Sequence, residues 1–468
     1  KELNALSFAA RESLNEEIHG LNVDQIYWDK VKKVEETPEL LKESFMELKI
    51  ELNKLQLDSY AYNRFLQFYS NTNGVDNVKS TAYINTDEFR IIFLRCELFD
   101  VTKAARRLIN FVELMYELYG DVGIQRRIRL NDLSSDELRI LKLGNYQILP
   151  GRDRAGRRIL IHVAYNSTNE YTWESRLRLS FYLQMNLSED IETQQKGLIL
   201  ITWYHNVNIF DDFSTRGKTH SRGIICAPIR IGGIHICIPE EFEDNNSLSN
   251  SGPSQFVTPR NIIKSMIALS VSAKYRSKLR FHNGSAMECL YALQSFGIPS
   301  SQIPLVIGIT SNKKRRRKET KRNEDVDENN NNNDCNLKLD NHIKWLKLCQ
   351  LKESNIKSYG KNWKCYNENY HGNDGHKQVI ECPNHSDILS GRGYSIYKYP
   401  GNAVFRNVVA SKLDEYIHLK SHPNSETTKL TLNVVHLLKN KYGARFLKEE
   451  TTESKGNLGC WIEVSDEE

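Results

Sequence analysis

Long apolar runs are absent from this sequence of 468 residues. Its most apolar stretches, such as Leu198 to Tyr204, have the length of a β-strand and fall well short of the roughly 20 residues that a membrane-spanning helix needs. We therefore expect no helix that crosses a membrane. The chain begins with Lys1 rather than Met, so the lack of a recognisable N-terminal targeting segment carries no conclusion.

Paired cysteines are lacking as well. The nine cysteines run from Cys96 to Cys460, their number is odd, and no Cys-x-x-Cys pair occurs. Because a disulfide framework normally shows an even, closely spaced set, we interpret them as reduced thiols of an intracellular, cytoplasmic protein. We expect no metal and no cofactor, since one group of His and Cys residues matches no zinc-ligand spacing: Cys365, His371, His376, Cys382 and His385.

The motifs of common enzyme classes are also missing. The sequence contains no G-x-S-x-G nucleophile motif and no P-loop or dinucleotide-binding glycine pattern. His162, His235 and His282 lie on or beside predicted strands, and we interpret them as core or rim histidines rather than a catalytic set. Gly391-Arg392-Gly393 is predicted to be a turn. We therefore expect a protein that is not an enzyme.

Charge is nearly balanced but unevenly distributed. The net charge is +5, which argues against general coating of nucleic acid. A basic cluster at 313–318 precedes an acidic patch and an asparagine run, so we predict a low-complexity linker over 309–377 that buries too little apolar surface to fold. The cluster fits a nuclear localisation signal, a contact with an anionic membrane, or a solvated linker, and these alternatives stay open.

The N-terminal part carries helical signals. Thr37, Pro38 and Glu39 form a typical helix start, and apolar residues follow at spacings of three and four. We predict a helical region over 1–84. Between 85 and 120 we expect two helices that meet at a tight corner, the second capped by Asp100 and ended by Gly120.

From residue 144 onward, strand and helix signals alternate. Asp153 and Gly156 predict a tight turn, and the mostly apolar residues 159–163 after them predict a strand. Further strands are predicted at 198–204, 234–239 and 278–282, with helical segments at 172–187, 260–273 and 286–294. This order predicts βαβ units and a mixed or parallel sheet.

Two stretches resemble the CRAL-TRIO lipid-binding family, whose members are phosphatidylinositol-transfer-protein-like. Residues 93–105, FLRCELFDVTKAA, resemble the family's N-terminal signature of FLRA, a short linker and FDVEKA. Residues 144–163 resemble the start of its lipid-binding lobe, where a D-x-x-G-R turn leads into the first strand. Asp153, Gly156 and Arg157 occupy those positions, and Arg158 replaces the following Pro. The resemblance covers about 85–305 and weakens toward its end.

The resemblance implies a fold and a ligand. We expect N-terminal helices at 85–143 and an α/β lobe at 144–308, with a gating helix at about 260–273 over an apolar cavity. It implies an amphipathic lipid, either a phosphoinositide or another hydrophobic ligand or phospholipid, exchanged at a membrane surface. The cavity candidates are Trp203, Ile236, Ile238, Ile263, Met266, Ile267 and Val271. The headgroup candidates are Lys274, Lys278 and Arg280. Plain core packing and a solvated basic face remain the alternatives.

The last segment, 378–468, is predicted to be a small α+β domain, which makes the chain multidomain. Helices are expected at 404–419 and 425–441, followed by a closing hairpin. The segment resembles an uncharacterised module that accompanies CRAL-TRIO lobes, through Asp387, Gly391, Arg392, Gly393, Asn402, Arg406, Arg445 and Trp461.

This last module supplies an alternative function. Two helices followed by a hairpin are compatible with winged-helix nucleic-acid binding, and Arg392, Arg406 and Arg445 are the candidate phosphate contacts. The alternative is therefore a regulatory or interaction protein that acts through this module. The oligomeric state is not indicated by the sequence.

Overall fold

The chain divides into two compact units. Unit 1 comprises Lys1–Gly20 and Lys32–Cys365, and unit 2 comprises Leu21–Val31 and Tyr366–Glu468. A computed structural model describes residues 7, 18, 36–71, 83–164, 172–204, 222–239, 259–304, 327–358, 379–419, 424–452 and 456–464.

The described part of unit 1 begins with helices that pack around aromatic rings. These helices are α1 (Pro38–Leu55), α2 (Tyr60–Asn71), α3 (Asp87–Cys96), α4 (Val101–Tyr119), α5 (Asp121–Gln125) and α6 (Ser135–Lys142). The Thr37 hydroxyl accepts a hydrogen bond from the Leu40 N–H at 3.2 Å, and Asp100 caps α4 through the Lys103 N–H at 3.1 Å. Gly120, with φ of +61°, ends α4. These three predicted helix ends are confirmed.

A mixed sheet of five strands forms the centre of unit 1. Its order is β1-β2-β3-β4-β5, with β1 antiparallel to β2 and the remaining neighbours parallel. The strands are β1 (Tyr146–Arg152), β2 (Arg158–Ala164), β3 (Leu198–Tyr204), β4 (Ile231–Pro239) and β5 (Leu279–Gly284). The mixed sheet agrees with the expected architecture. Strand β1 was not expected, because Pro150 and Gly151 interrupt its apolar pattern.

The turn between β1 and β2 forms around Asp153. Its Oδ1 accepts hydrogen bonds from the N–H groups of Ala155 at 3.1 Å and Arg157 at 2.8 Å. Its Oδ2 accepts one from Arg157 Nε at 2.7 Å. Gly156 has φ of +79°, a left-handed conformation that glycine adopts without strain. The stretch is therefore a buried structural turn that opens the sheet.

Different helices cover the two faces of this sheet. Two helices connect β2 to β3, namely α7 (Trp173–Leu187) and α8 (Ile191–Lys196). Two more, α9 (Pro259–Ser270) and α10 (Ala273–Arg276), connect β4 to β5. Because β2 to β5 are parallel and lie in sequence order, right-handed connections run over one face. Side chains of α7 and α9 accordingly share a core with Leu160 and Ile234. On the other face, α11 (Ala286–Ser295) packs against Ile159 and Ile199.

A further helix, α12 (Asp327–Ser358), corrects the prediction of a linker over 309–377. Trp345, Leu346 and Cys349 are buried in the same core as α4 and α7. The composition argument averaged the asparagine run with the apolar residues that follow it. Those residues recur at helical spacing, so this part of the segment buries one face against unit 1.

Polar contacts also hold α12 in place. His342 Nε2–H donates to the carbonyl oxygen of Leu141 at 2.8 Å. The carboxylate of Glu353 accepts hydrogen bonds from the Leu130 N–H at 3.0 Å and the Tyr182 hydroxyl at 2.9 Å. Apolar burial and directed hydrogen bonds together fix the position of α12 along the helices of unit 1.

Unit 2 contains a second sheet, in the order β6-β9-β8-β7. Its strands are β6 (Val379–Ile380), β7 (Ile388–Ser390), β8 (Phe446–Thr452) and β9 (Gly456–Glu463). Its described helices are α13 (Tyr394–Tyr397), α14 (Pro400–Ser411), α15 (Leu413–Leu419) and α16 (Asn424–Tyr442). The antiparallel pair β8–β9 confirms the predicted closing hairpin. The helix predicted at 404–419 is instead two helices, which break at Lys412.

Candidate ligand cavity

A cavity of about 140 Å³ lies on the face of the unit 1 sheet that α7 and α9 cover. Its wall combines α7, all five strands, the segment 223–227, and the end of α9 with Val271. Most wall residues are apolar, among them Leu160, Phe181, Leu200, Ile234 and Ile267. A cavity of this size accommodates a body about as large as one benzene ring.

Polar side chains occupy the sheet and the helix on either side of this cavity. On the sheet, Tyr146, His162 and Thr202 are register partners across β1, β2 and β3, and the Tyr146 and His162 rings stack with centroids 4.2 Å apart. On α7, Ser180 and Gln184 lie four residues apart and therefore on one helix face. The otherwise apolar wall thus contains a polar region.

Gln184 is the most buried hydrogen-bonding group of this wall on α7, with 3 % of its surface exposed. Its Nε2 donates to the Ser180 hydroxyl oxygen at 2.9 Å. Among the residues that the structure describes, none donates a hydrogen bond to its Oε1. The side-chain amide is therefore satisfied at one end only.

Three of the predicted cavity residues do line this wall. They are Ile236 on β4, Ile267 on α9 and Val271 just after α9. Contact between these residues and a lipid stays a prediction. Of the α9 side chains described between 264 and 270, only that of Ile267 is buried, and Leu269 is 77 % exposed. Helix α9 therefore buries little of its described surface against the rest of unit 1.

The remaining cavity candidates lie elsewhere. Trp203 packs on the opposite face of the sheet with α11, because successive strand residues point to opposite faces and Thr202 takes the cavity side. Ile238 is fully buried, and Met266 is half-buried, in the core around the cavity without lining its wall. The side chain of Ile263 lies outside the described residues. Trp203, Ile238 and Met266 are thus corrected as wall residues.

The predicted headgroup cations bind protein groups instead of lining the cavity. Lys278 is buried and its ammonium donates to the Ile231 carbonyl oxygen at 2.9 Å. Arg280 donates to the carbonyl oxygens of Ser277 at 2.7 Å and Leu279 at 2.9 Å, and burial lowers its pKa. These contacts orient the start of β5, and neither side chain lines the cavity, so the headgroup role of the two residues stays a prediction.

Lys274, the third headgroup candidate, belongs to a charged network that anchors α10. Its ammonium donates to Oε2 of Glu97 at 2.8 Å, and Arg107 Nε donates to Oε1 of the same carboxylate at 2.7 Å. Arg107 further donates to the Tyr275 hydroxyl at 2.7 Å and the Ala227 carbonyl at 3.0 Å. Burial favours the neutral acid, yet the two cations outweigh it and lower the pKa of Glu97. The network ties the segment after α9 to α4.

Two of the three predicted core or rim histidines, His235 and His282, pack against each other, and the third, His162, stacks on Tyr146. His235 Nδ1 and His282 Nε2 lie 2.9 Å apart, and the rings stack beside Phe296. Burial, together with the charge of Arg280, lowers the pKa of His282 to about 4. His282 is therefore neutral near pH 7, which suits the interpretation as a core residue.

In unit 2, the motif residue Asp387 organises a turn. Its carboxylate, with no exposed surface, accepts hydrogen bonds from Arg445 Nε at 2.9 Å and Nη2 at 2.7 Å. It also accepts one from the Asn384 N–H at 2.7 Å. The guanidinium of Arg445 is thus held by an internal partner, which disfavours its predicted role as a phosphate contact.

The other motif residues of unit 2 also serve its fold. Asn402 exchanges two hydrogen bonds with the backbone of Leu389, at 2.7 and 2.9 Å. The Arg406 guanidinium lies 3.9 Å from the Tyr397 ring centroid and donates to the Tyr397 carbonyl oxygen. Trp461 pairs across the sheet with Ile380. Arg392 is exposed between Gly391 and Gly393, which both have positive φ, as the predicted turn requires.

Two general observations limit the site. None of the described helices is long and apolar enough to cross a membrane. Within the described residues, no three His, Cys, Asp or Glu side chains come together in a way that would hold a metal ion. Of the His and Cys group that matches no zinc-ligand spacing, Cys365, His371 and His376 lie outside the described residues.

Comparison with known proteins gives a family match for the C-terminal segment and weak similarity to solved structures. Residues 387–468 match the family described as a domain of unknown function (DUF6824). This match agrees with the predicted uncharacterised module. The structure is weakly similar to the crystal structure of Sfh5, with a TM-score of 0.31 and 10 % sequence identity, over 56 % of this chain and 88 % of that one. At these values the similarity carries no argument about the ligand.

The polar wall residues were not found from the sequence. Their signal is visible in hindsight on α7, where Arg176, Ser180 and Gln184 recur every four residues within a helix whose second half is buried. Such a polar stripe is ordinarily a solvent-facing surface. Only the tertiary fold turns this stripe toward the sheet.

Proposed function

We propose that the protein binds a hydrophobic or amphipathic lipid in the cavity between α7, the sheet and α9, without catalysing a reaction. The observation that carries this proposal is the cavity of about 140 Å³, whose wall is mostly apolar. Transfer of an acyl chain from water to such a wall contributes about 0.8 kcal/mol per methylene group. The wall therefore offers a driving force for binding.

The cavity volume implies that α9 moves when a whole lipid binds. A space that fits one ring or a short chain is too small for a phospholipid with two acyl chains. Of the α9 side chains described between 264 and 270, only that of Ile267 is buried, whereas the segment after the helix is anchored by Arg107 and Tyr275. We therefore propose that α9 swings about this anchored end.

Exchange at a membrane surface is part of the proposal. Leu269, 77 % exposed on α9, offers an apolar contact to a bilayer next to the moving helix. The intracellular, cytoplasmic location stays a prediction. It is supported by the seven cysteines that the structure describes, which are buried and form no disulfide with one another.

Native mass spectrometry of the full chain tests the proposal. The protein is incubated with vesicles of phosphatidylcholine, phosphatidylinositol and cholesterol, separated from them, and weighed. We expect a mass increase that corresponds to one bound lipid. If the protein neither retains a lipid from expression nor acquires one from the vesicles, the proposal is wrong.

A pair of matched variants links the bound lipid to the cavity. Ala227→Leu places extra methyl groups into the cavity, whereas Ala286→Leu makes the same change on the opposite face of the sheet. Both alanines are buried, at 1 % and 6 % exposure. We expect the first variant to lose lipid uptake and the second to keep it. Equal uptake by both folded variants would place the lipid elsewhere.

A further inference from the structure

The polar region of the cavity wall indicates the chemistry of the ligand. Gln184 is buried, its Nε2 bonds Ser180 at 2.9 Å, and its Oε1 has no hydrogen-bond partner among the described residues. A buried polar atom without a partner is costly, so a bound molecule that satisfies it gains affinity. The same holds if the amide is turned around, because one end then still lacks a partner.

We infer that the cavity selects a neutral ligand whose hydroxyl group bonds the Gln184 amide. This inference rests on the proposed function and names its ligand class. A hydroxyl group fits either orientation of the amide, since it both donates and accepts a hydrogen bond. Its apolar part then lies against Leu160, Phe181 and Ile236.

The charges around the wall favour a neutral group over an anionic one. The cations predicted as headgroup contacts, Lys274, Lys278 and Arg280, are bound to protein groups and lie outside the wall. Arg176 lines the wall, but it is only half-buried and has a further interaction within the protein. An anionic headgroup would lose hydration without a buried cation to replace it.

Phenol and benzene are suitable probes because each matches the cavity volume and they differ by one hydroxyl group. Their dissociation constants are measured for the full chain by ligand-observed NMR titration. The key variant is Gln184→Met, which keeps the side-chain length and removes the amide. We expect the ratio of benzene Kd to phenol Kd to fall by about tenfold in this variant.

Gln147→Met is the matched control. Gln147 is 6 % exposed, and its Nε2 donates to the Gly144 carbonyl oxygen at 2.7 Å, away from the cavity wall. This variant is expected to keep the wild-type ratio. An equal change in both variants would mean that the effect is not specific to the cavity, and it would overturn the inference.

Other outcomes separate the inference from the proposed function. If the wild type binds both probes and Gln184→Met leaves their ratio unchanged, the hydroxyl contact is wrong while the cavity remains a binding site. Tighter binding of benzoate than of phenol would also overturn the inference, because it would show selection of an anion through Arg176. If neither benzene nor phenol binds, the cavity itself is refuted as a ligand site.

Discussion

Acidification should loosen the docked helix α12 through one histidine. His342 is 1 % exposed, and its Nε2–H donates to the Leu141 carbonyl oxygen at 2.8 Å. No described residue bonds its Nδ1, so a second proton would place an uncompensated charge in the core. Burial lowers the pKa of His342 to about 4.

The magnitude follows from the difference between folded and unfolded states. An unfolded histidine titrates near pH 6.5, roughly two to three units above the folded group. Between these values the unfolded chain binds the proton and the folded chain does not, so stability falls as the pH drops from about 6.5 toward 4. At about pH 5 the docked state should lose about 2 kcal/mol relative to neutral pH.

Hydrogen exchange of the full chain, read by mass spectrometry over 339–353, measures this loss. After correction for intrinsic exchange, protection should fall by about thirtyfold between neutral pH and about pH 5. His342→Gln keeps a donor for Leu141 but cannot titrate, so its protection should not fall; burial raises the pKa of Glu353 on the same helix, which acts in the opposite direction. His282 titrates with the same sign, but its effect appears in peptides from β5. An equal loss in wild type and variant would refute the reasoning.

Three further predictions concern the turn, the module and the thiols. Gly156→Val should lower the free energy of unfolding by about 1–3 kcal/mol, because φ of Gly156 is +79°. Gly156→Asn should lower it less. An unchanged midpoint of chemical denaturation for Gly156→Val would contradict this prediction. Asp387→Ala should lower the free energy of opening of β7, measured by hydrogen exchange, by about 2 kcal/mol, because Arg445 loses its buried partner. The loss is moderate because the Arg445 side chain is 29 % exposed and can be solvated. Arg445→Lys keeps the charge and should have a smaller effect than Asp387→Ala. A larger effect of Arg445→Lys would contradict the stabilising role of the Asp387–Arg445 ion pair. Burial raises the pKa of Cys96 and Cys226 to about 11, so alkylation at about pH 8 should be at least a hundredfold slower in the native chain than in denaturant. Fast native alkylation of either cysteine would show that its thiol is accessible.

The parts of the fold that could be predicted are those determined by contacts between residues close in sequence. Asp153 and Gly156 determine their turn through contacts within five residues, and Thr37 and Asp100 cap their helices through the next turn. The strand at Leu198–Tyr204 was predicted with its observed bounds, because a short apolar run between polar segments has few other solutions.

The parts that could not be predicted depend on contacts between distant residues. Whether Trp203 or Thr202 faces the cavity is decided by strand register, which a run of apolar residues does not specify. The docking of α12 depends on partners such as Leu130 and Tyr182, more than 170 residues away in sequence. Composition gave the wrong expectation there because it averages over a window that contains both a polar run and an apolar face.

Helix α7 lies between the cavity and helix α12, and this position has a thermodynamic consequence. One face carries Ser180 and Gln184 in the cavity wall, while Tyr182 bonds Glu353 of α12 and Glu189, just after the helix, bonds Lys352. A rigid helix cannot shift on one face alone. If ligand binding moves α7, it changes the affinity of α12 for its site, and by reciprocity α12 changes the affinity for ligand by the same factor. The ligand in the cavity and the docking of α12 are then coupled through α7.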